Sequence, residues 1–145
     1  MRITDPSRPV AAAAALGFAA LAAVAAGASA ATVHCLAASI GPGSLHRGGT
    51  TGARCMLAEY RDHCHAASYV LSLFGVDTVH QESFRLALQS GRCRIVVTES
   101  FRVVPQLQHM LGARTCSRLR AVGTDVVADR CTRGPPATIS LTKLS

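Results

Sequence analysis

Between Glu82 and Val97, apolar and polar positions alternate on both sides of the dipeptide Ser90-Gly91. Phe84, Leu86 and Leu88 interleave with Ser83, Arg85 and Ala87; after the dipeptide, Cys93, Ile95 and Val97 interleave with Arg94, Val96 and Thr98. A period of two marks a strand with one buried face. A two-residue turn at Ser90-Gly91 pairs Leu88 with Cys93, Leu86 with Ile95 and Phe84 with Val97. One face is then wholly apolar, and the other carries Arg85, Arg92 and Arg94. Cys93 falls on the inner side, in place to bridge to another element. Glu-Ser-Phe-Arg at 82–85 recurs at 99–102, which reads as shared strand patterning rather than as a solenoid repeat. In this parity Glu99 lands on the apolar side, so a bulge or bend is expected there.

A second hairpin is predicted around Gly123-Thr124, where Gly followed by Thr suits a type II′ turn. That register sets Leu119 against Ala128, Ala121 against Val126, Arg118 against Asp129 and Cys116 against Cys131. Gly134-Pro135-Pro136 ends it, and the alternation of Ala137–Thr142 predicts a terminal strand. At the other end, Val33–Ala38 predicts a short first strand. Ser39–Ala53 holds five glycines and Pro42, too many for a regular element, and reads as a loop.

Arg54–Phe74 carries a different period. Leu57, Tyr60, Cys64, Ala67, Leu71 and Phe74 recur at steps of three and four, the apolar stripe of an amphipathic helix, with Gly75 as its stop. The same residues also admit a strand from Ser68 to Phe74. In a helix, Cys55 and Cys64 stand about 13 Å apart along the axis on opposite faces and do not pair with each other. The expected fold is therefore α+β: a largely antiparallel sheet with one packed helix, disulfide-stabilised. An all-β sandwich is the alternative.

Composition changes the picture at the N-terminus. Arg2 and Arg8 precede an 18-residue apolar run, Val10–Gly27, followed by Ala28-Ser29-Ala30. This is the layout of a secretory signal cleaved after Ala30, leaving 31–145 as one domain with no membrane span. All six cysteines, Cys35, Cys55, Cys64, Cys93, Cys116 and Cys131, lie beyond that cut. An even thiol count in an exported chain predicts three disulfides and a secreted or periplasmic location. Cys116 with Cys131 is the one pairing that register suggests; the other four leave several open. With the leader's two arginines and one aspartate removed from 15 basic and 8 acidic residues, the formal charge is +6. A basic surface favours anionic partners, here an envelope polymer or an acidic protein.

Candidate chemistry is sparse. Glu59, Asp62 and His63 share one helix face at i, i+3 and i+4, a spacing from which carboxylates and an imidazole chelate a metal or share a proton. His65 joins them only if the segment is extended. The cysteine spacings contain no Cys-x-x-Cys, which argues against a thioredoxin-like site or a zinc ribbon. No nucleophile elbow, phosphate loop or dinucleotide fingerprint occurs, so no cofactor is expected. With no tryptophan and two tyrosines, a base-stacking platform is unsupported and no specific nucleic acid is expected. The remaining candidate is the row Arg85, Arg92, Arg94 and Arg102, because guanidinium forks suit phosphates and carboxylates. The sequence thus points to a non-catalytic binding protein acting through an arginine-bearing sheet face. A metal-binding or hydrolytic protein using Glu59, Asp62 and His63 is the first alternative. An inhibitor of a secreted enzyme, presenting the 39–53 loop, is the second.

Overall fold

Ser90 and Gly91 both adopt positive φ, 52° and 71°, the backbone of a type I′ turn, whose twist matches that of the strands it joins. A computed structural model describes residues 31–145, and this turn sets the register at its centre. Strands β4 (Thr78–Gln89) and β5 (Arg92–Val103) pair along their whole length. Leu88 lies opposite Cys93, Leu86 opposite Ile95 and Phe84 opposite Val97, as the alternation predicts. Phe84, Leu86, Ile95 and Val97 are fully buried. Leu88 departs from the expected apolar face, being largely exposed at the hairpin tip. The predicted leader lies outside the described residues.

The remaining strands extend this hairpin into one curled half-barrel sheet. The elements are β1 (Val33–His34), β2 (Ala38–Ile40), α1 (Thr51–Arg61), β3 (Ala67–Phe74), then β4 and β5. They are followed by β6 (His109–Val122), β7 (Asp125–Cys131) and β8 (Ala137–Ser140). The strand order is β1-β3-β4-β5-β6-β7-β8, with β2 beside β1 on the same edge of β3. Among the described residues, only those two short strands run parallel to their neighbour; every other strand pairing there is antiparallel. Because pairing is continuous from β3 to β8, the chain forms one sheet with a helix, and the alternative sandwich does not arise.

The helix differs from its predicted span. It begins at Thr51, inside the presumed loop, and stops at Arg61. His63 and Cys64 then take left-handed φ values of 54° and 59°, and the chain turns back as β3. Ala67–Phe74 satisfies both periods, so local pattern alone does not choose between them. Tertiary pairing decides. Eight residues of β3 bond to β4 on one side and to β1 and β2 on the other, which a helix could not do while burying Tyr69 and Leu71 together.

Helix α1 lies against the face that β3, β6 and β7 share, burying Gly52, Ala53 and Met56. Met56, Tyr69, Phe84, Leu86, Ile95, Val97, Val126, Ile139 and Leu144 make the core beneath it. The Tyr69 and Phe84 rings are tilted neighbours with centroids 5.9 Å apart, a geometry favoured by the ring quadrupoles.

Three disulfides tie the periphery to this core. Cys35–Cys55 fastens the segment between β1 and β2 to the helix, and Cys64–Cys93 joins the helix exit to β5. Cys116–Cys131 links β6 to β7, in the register expected from the symmetry about Gly123-Thr124. Gly123 takes positive φ there and Thr124 does not. Cys116 and Leu119 are three apart yet both buried, so the strand changes phase between them, opposite Arg130 with its φ of 54°.

On the other face of this hairpin, Arg118 holds Asp129 with two donors, at 2.7 and 2.8 Å, and Arg120 adds a third at 2.7 Å. These bonds hold the Asp129 carboxyl well below the usual aspartate range. The stabilisation it gives is present above the ordinary aspartate pKa and is lost as acid takes the pH down through the lowered one.

Candidate functional site

The arginines singled out in the sequence share one sheet face but do not form one cluster. Arg85 lies opposite Ser68 and Val96, Arg94 opposite Ala87, and Arg92 opposite Gln89. Arg85 and Arg94 are therefore diagonal neighbours, about 7–8 Å apart. Arg92 is two residues beyond Arg94 on the same face. Arg92 and Arg94, with Gln89 and Ser90, line an open depression of 490 Å³ at the hairpin tip. Arg102 lies opposite Val79, eight residues along β5 from Arg94, or roughly 26 Å away. It belongs to a separate, smaller depression with Val79, Gln81 and Gln108.

A self-satisfied polar ladder separates the two ends. Gln81 donates to Ser72 at 3.2 Å. Gln108 donates to Gln81 at 3.1 Å and also to Ser100. The Ser83 and Thr98 hydroxyls bond to each other. Among the described residues, no carboxylate comes within ion-pair distance of Arg85, Arg92, Arg94 or Arg102. By contrast, Arg114, Arg118 and Arg120 are each tied to a carboxylate.

The proposed metal ligands are placed differently from expectation. Because α1 ends at Arg61, His63 does not continue the face of Glu59 and Asp62. The reversal at His63 and Cys64 instead swings His65 back, where its backbone N–H donates to the Glu59 carbonyl at 3.0 Å. Its Nδ1 lies 3.4 Å from Glu59 Oε2 and 3.6 Å from Asp62 Oδ2. Among the described residues, no group of three His, Cys, Asp or Glu side chains is arranged to hold a metal ion.

A second polar group lies on the helix-bearing face, beyond the core; of its members only Glu99 stood out in the sequence, and not as part of a site. Glu82 pairs across the sheet with Leu71 on one side and Glu99 on the other. Gly112 follows on β6. Arg114 Nη1 donates to Glu99 Oε1, while its Nε and the Tyr69 hydroxyl are buried without a protein partner. The bulge or bend expected at Glu99 is not in its own hairpin, where the register runs unbroken and Glu99 keeps the inward parity. The register shift beside it lies in the β5–β6 pairing, with Leu111 as the extra residue on β6. One signal could have revealed the carboxylate pair. Extending the Phe84–Val97 register by one more inward-facing pair sets Glu82 opposite Glu99.

Burial raises the Glu82 pKa above the ordinary glutamate value, and the Glu99 carboxylate adds to the rise; His80 and Arg114 oppose it. The Tyr69 phenol, buried and close to Glu82, is pushed up to about 12. A raised carboxyl pKa means the folded state holds that proton more tightly than the unfolded chain. Ionised Glu82 therefore costs stability, fully above its folded pKa and not at all below its unfolded one. Glu82→Gln is expected to raise the melting temperature at pH 7. The two melting curves should converge near about pH 4, where the wild-type side chain is also neutral. A lower melting temperature for the variant at pH 7 would show that Glu82 is stabilised as an anion.

No protein-family model, no curated protein and no solved structure matches this chain.

Proposed function

We propose that this chain is a non-catalytic binding protein of an oxidising compartment, secreted or periplasmic, that engages a polyanionic partner through Arg85, Arg92 and Arg94. Three disulfides with no free cysteine among the described residues support the compartment. Cleavage after Ala30 would deliver the domain there. The observation that carries the reading is the hairpin tip, where three guanidiniums share a face and none is neutralised by a carboxylate among the described residues. Arginine forks left unpaired on a rigid, disulfide-tied hairpin match phosphate or carboxylate oxygens with little ordering cost. An anionic envelope polymer or an acidic protein presents such oxygens in series. Arg102 stands outside this tip and is not part of the contact.

The test is binding of the mature protein to long-chain inorganic polyphosphate and, separately, to polyglutamate, by titration at several salt concentrations. Binding should weaken with salt. An Arg85→Ala/Arg92→Ala/Arg94→Ala variant should lose at least about tenfold in affinity, since one charge-assisted hydrogen bond is worth that much. Arg102→Ala should bind like the wild type. Equal binding by the triple variant and the wild type would remove this face from consideration.

A further inference from the structure

Glu82 and Glu99 are directly opposed on neighbouring strands, on the helix-bearing face of the sheet. Opposed side chains on one face stand about 5 Å apart, and like charges in that position cost stability. Arg114 answers only one of the two, through its bond to Glu99. Among the described residues, no basic group comes within ion-pair distance of Glu82. With both carboxyls ionised, the group is one negative charge in excess. Tyr69 adds a buried oxygen that nothing answers. It is 1 % exposed, stands one inward pair from Glu82, and its hydroxyl has no protein partner. Buried hydroxyls are nearly always bonded. This one is near enough to Glu82 for the carboxylate charge to raise its pKa, yet the two are not bonded to each other. Space is open beside them. Gly112 lies opposite Glu99 on β6, and a side chain built there would meet nothing within 4 Å. One inward row further from the core, Leu73, His80 and Phe101 lie side by side. Leu73 is 37 % exposed and Phe101 is half-buried, so apolar surface adjoins the carboxylates on one shelf.

We propose that this shelf binds a small organic ammonium compound with an apolar body. The ammonium stands between Glu82, the second carboxylate oxygen of Glu99 and the Tyr69 hydroxyl, and its three donors match those three acceptors. The body lies over Leu73 and the Phe101 ring, one row or about 7 Å along the strands. The excess negative charge selects a cation over an anion. Glu82 selects it over a neutral donor, because a half-buried carboxylate is offset by a full opposite charge and not by a dipole alone. A bare metal ion fits less well. Among the described residues, no three His, Cys, Asp or Glu side chains are arranged to ligate one, and the Arg114 guanidinium would stand beside it. The basic character of the domain does not prevent the contact, since charges beyond about 8 Å are largely screened at physiological salt. Arg85, Arg92 and Arg94 lie on the other face of the sheet, so this site and the polyanion contact are independent.

Isothermal titration calorimetry of the mature protein with 2-phenylethylamine tests this, at about pH 7, where the amine is protonated. The amine should bind saturably and raise the melting temperature. Its neutral isostere 2-phenylethanol should bind at least about tenfold more weakly, the loss of one charge-assisted bond. Glu82→Gln should lose at least about tenfold in affinity for the amine for the same reason. Gly112→Leu, which fills the shelf beside Glu99, should weaken binding as well. Circular dichroism establishes that each variant is folded, and either variant suffices if the other is not. A wild type without saturable amine binding at millimolar concentration overturns the proposal. Equal affinity for the alcohol does so too, as does a folded Glu82→Gln or Gly112→Leu protein that binds the amine like the wild type. Calcium chloride is the remaining arm: saturable calcium binding that Glu82→Gln abolishes and the amine does not displace would make the pair a metal site and overturn it as well.

Discussion

Gly52→Ala should destabilise the fold by about 2–3 kcal/mol, lowering the melting temperature by roughly 10–15 °C. In an exposed helix the sign would be the reverse, because alanine is favoured over glycine by about 1 kcal/mol. Here the first turn of α1 sits directly on the sheet. A methyl group at Gly52 would overlap the Leu36 carbonyl oxygen and stand 2.6 Å from Tyr69 Cε2. Neither neighbour can retreat. The Leu36 backbone is held by the Cys35–Cys55 bridge and by the bond from Cys35 N–H to the Ser68 carbonyl at 2.8 Å. The Tyr69 ring is fully buried against Phe84. Gly112→Ala, where a Cβ meets open space and φ is not positive, serves as the control and should change stability by less than about 0.5 kcal/mol. Equal melting temperatures for Gly52→Ala and wild type would mean that the helix does not rest on Tyr69 as described.

Removing the Cys64–Cys93 bridge by the double substitution Cys64→Ala/Cys93→Ala should cost about 3–4 kcal/mol. The two residues are 29 apart, and the chain-entropy model gives that figure for a loop of this size. The effect should also be local. Asp62, His63 and Cys64 reverse the chain through two left-handed, non-glycine residues, a conformation that costs energy and persists only where the surroundings enforce it. The bridge is what enforces it, since it fixes the helix exit to the inner face of β5. Hydrogen exchange should therefore accelerate first at 62–66, before the β4–β5 core opens. Denaturant midpoints that coincide for the oxidised wild type and the double variant would show that the sheet alone holds this reversal.

The two hairpins were legible because each combines a period of two with turn chemistry at its centre. Ser90-Gly91 and Gly123-Thr124 fix the registers, and the registers fix which residues face each other, including Cys116 with Cys131. The same logic, carried one inward-facing pair further, contains the Glu82–Glu99 pair. What it does not contain is Arg114, which reaches Glu99 from the next strand across the sheet. The helix was only partly legible. Residues 67–74 fit a stripe and an alternation equally well, so the boundary depended on partners far away in the chain. The glycines at 48–52 read as loop, yet Gly52 opens the helix because nothing larger fits between Leu36 and Tyr69. His63 was matched to Glu59 and Asp62 by helical spacing, and the early helix end put His65 there instead. The arginine row was legible as a face, but its split into a tip and a distant Arg102 needed strand length and the intervening polar ladder.

The chain by itself determined a largely antiparallel sheet, the two registers, the even set of cysteines and the side of the sheet on which the arginines stand. All of these follow from short-range periodicity and turn geometry, which act between residues close in sequence. The choice between α+β and an all-β sandwich waited on the continuous strand pairing. The tertiary structure decided where the helix stops, which of Cys35, Cys55, Cys64 and Cys93 meet, which arginines lack a carboxylate, and which glutamate of the opposed pair Arg114 answers. Those depend on contacts between segments tens of residues apart, where burial and hydrogen-bond pairing of the whole sheet outweigh any local preference.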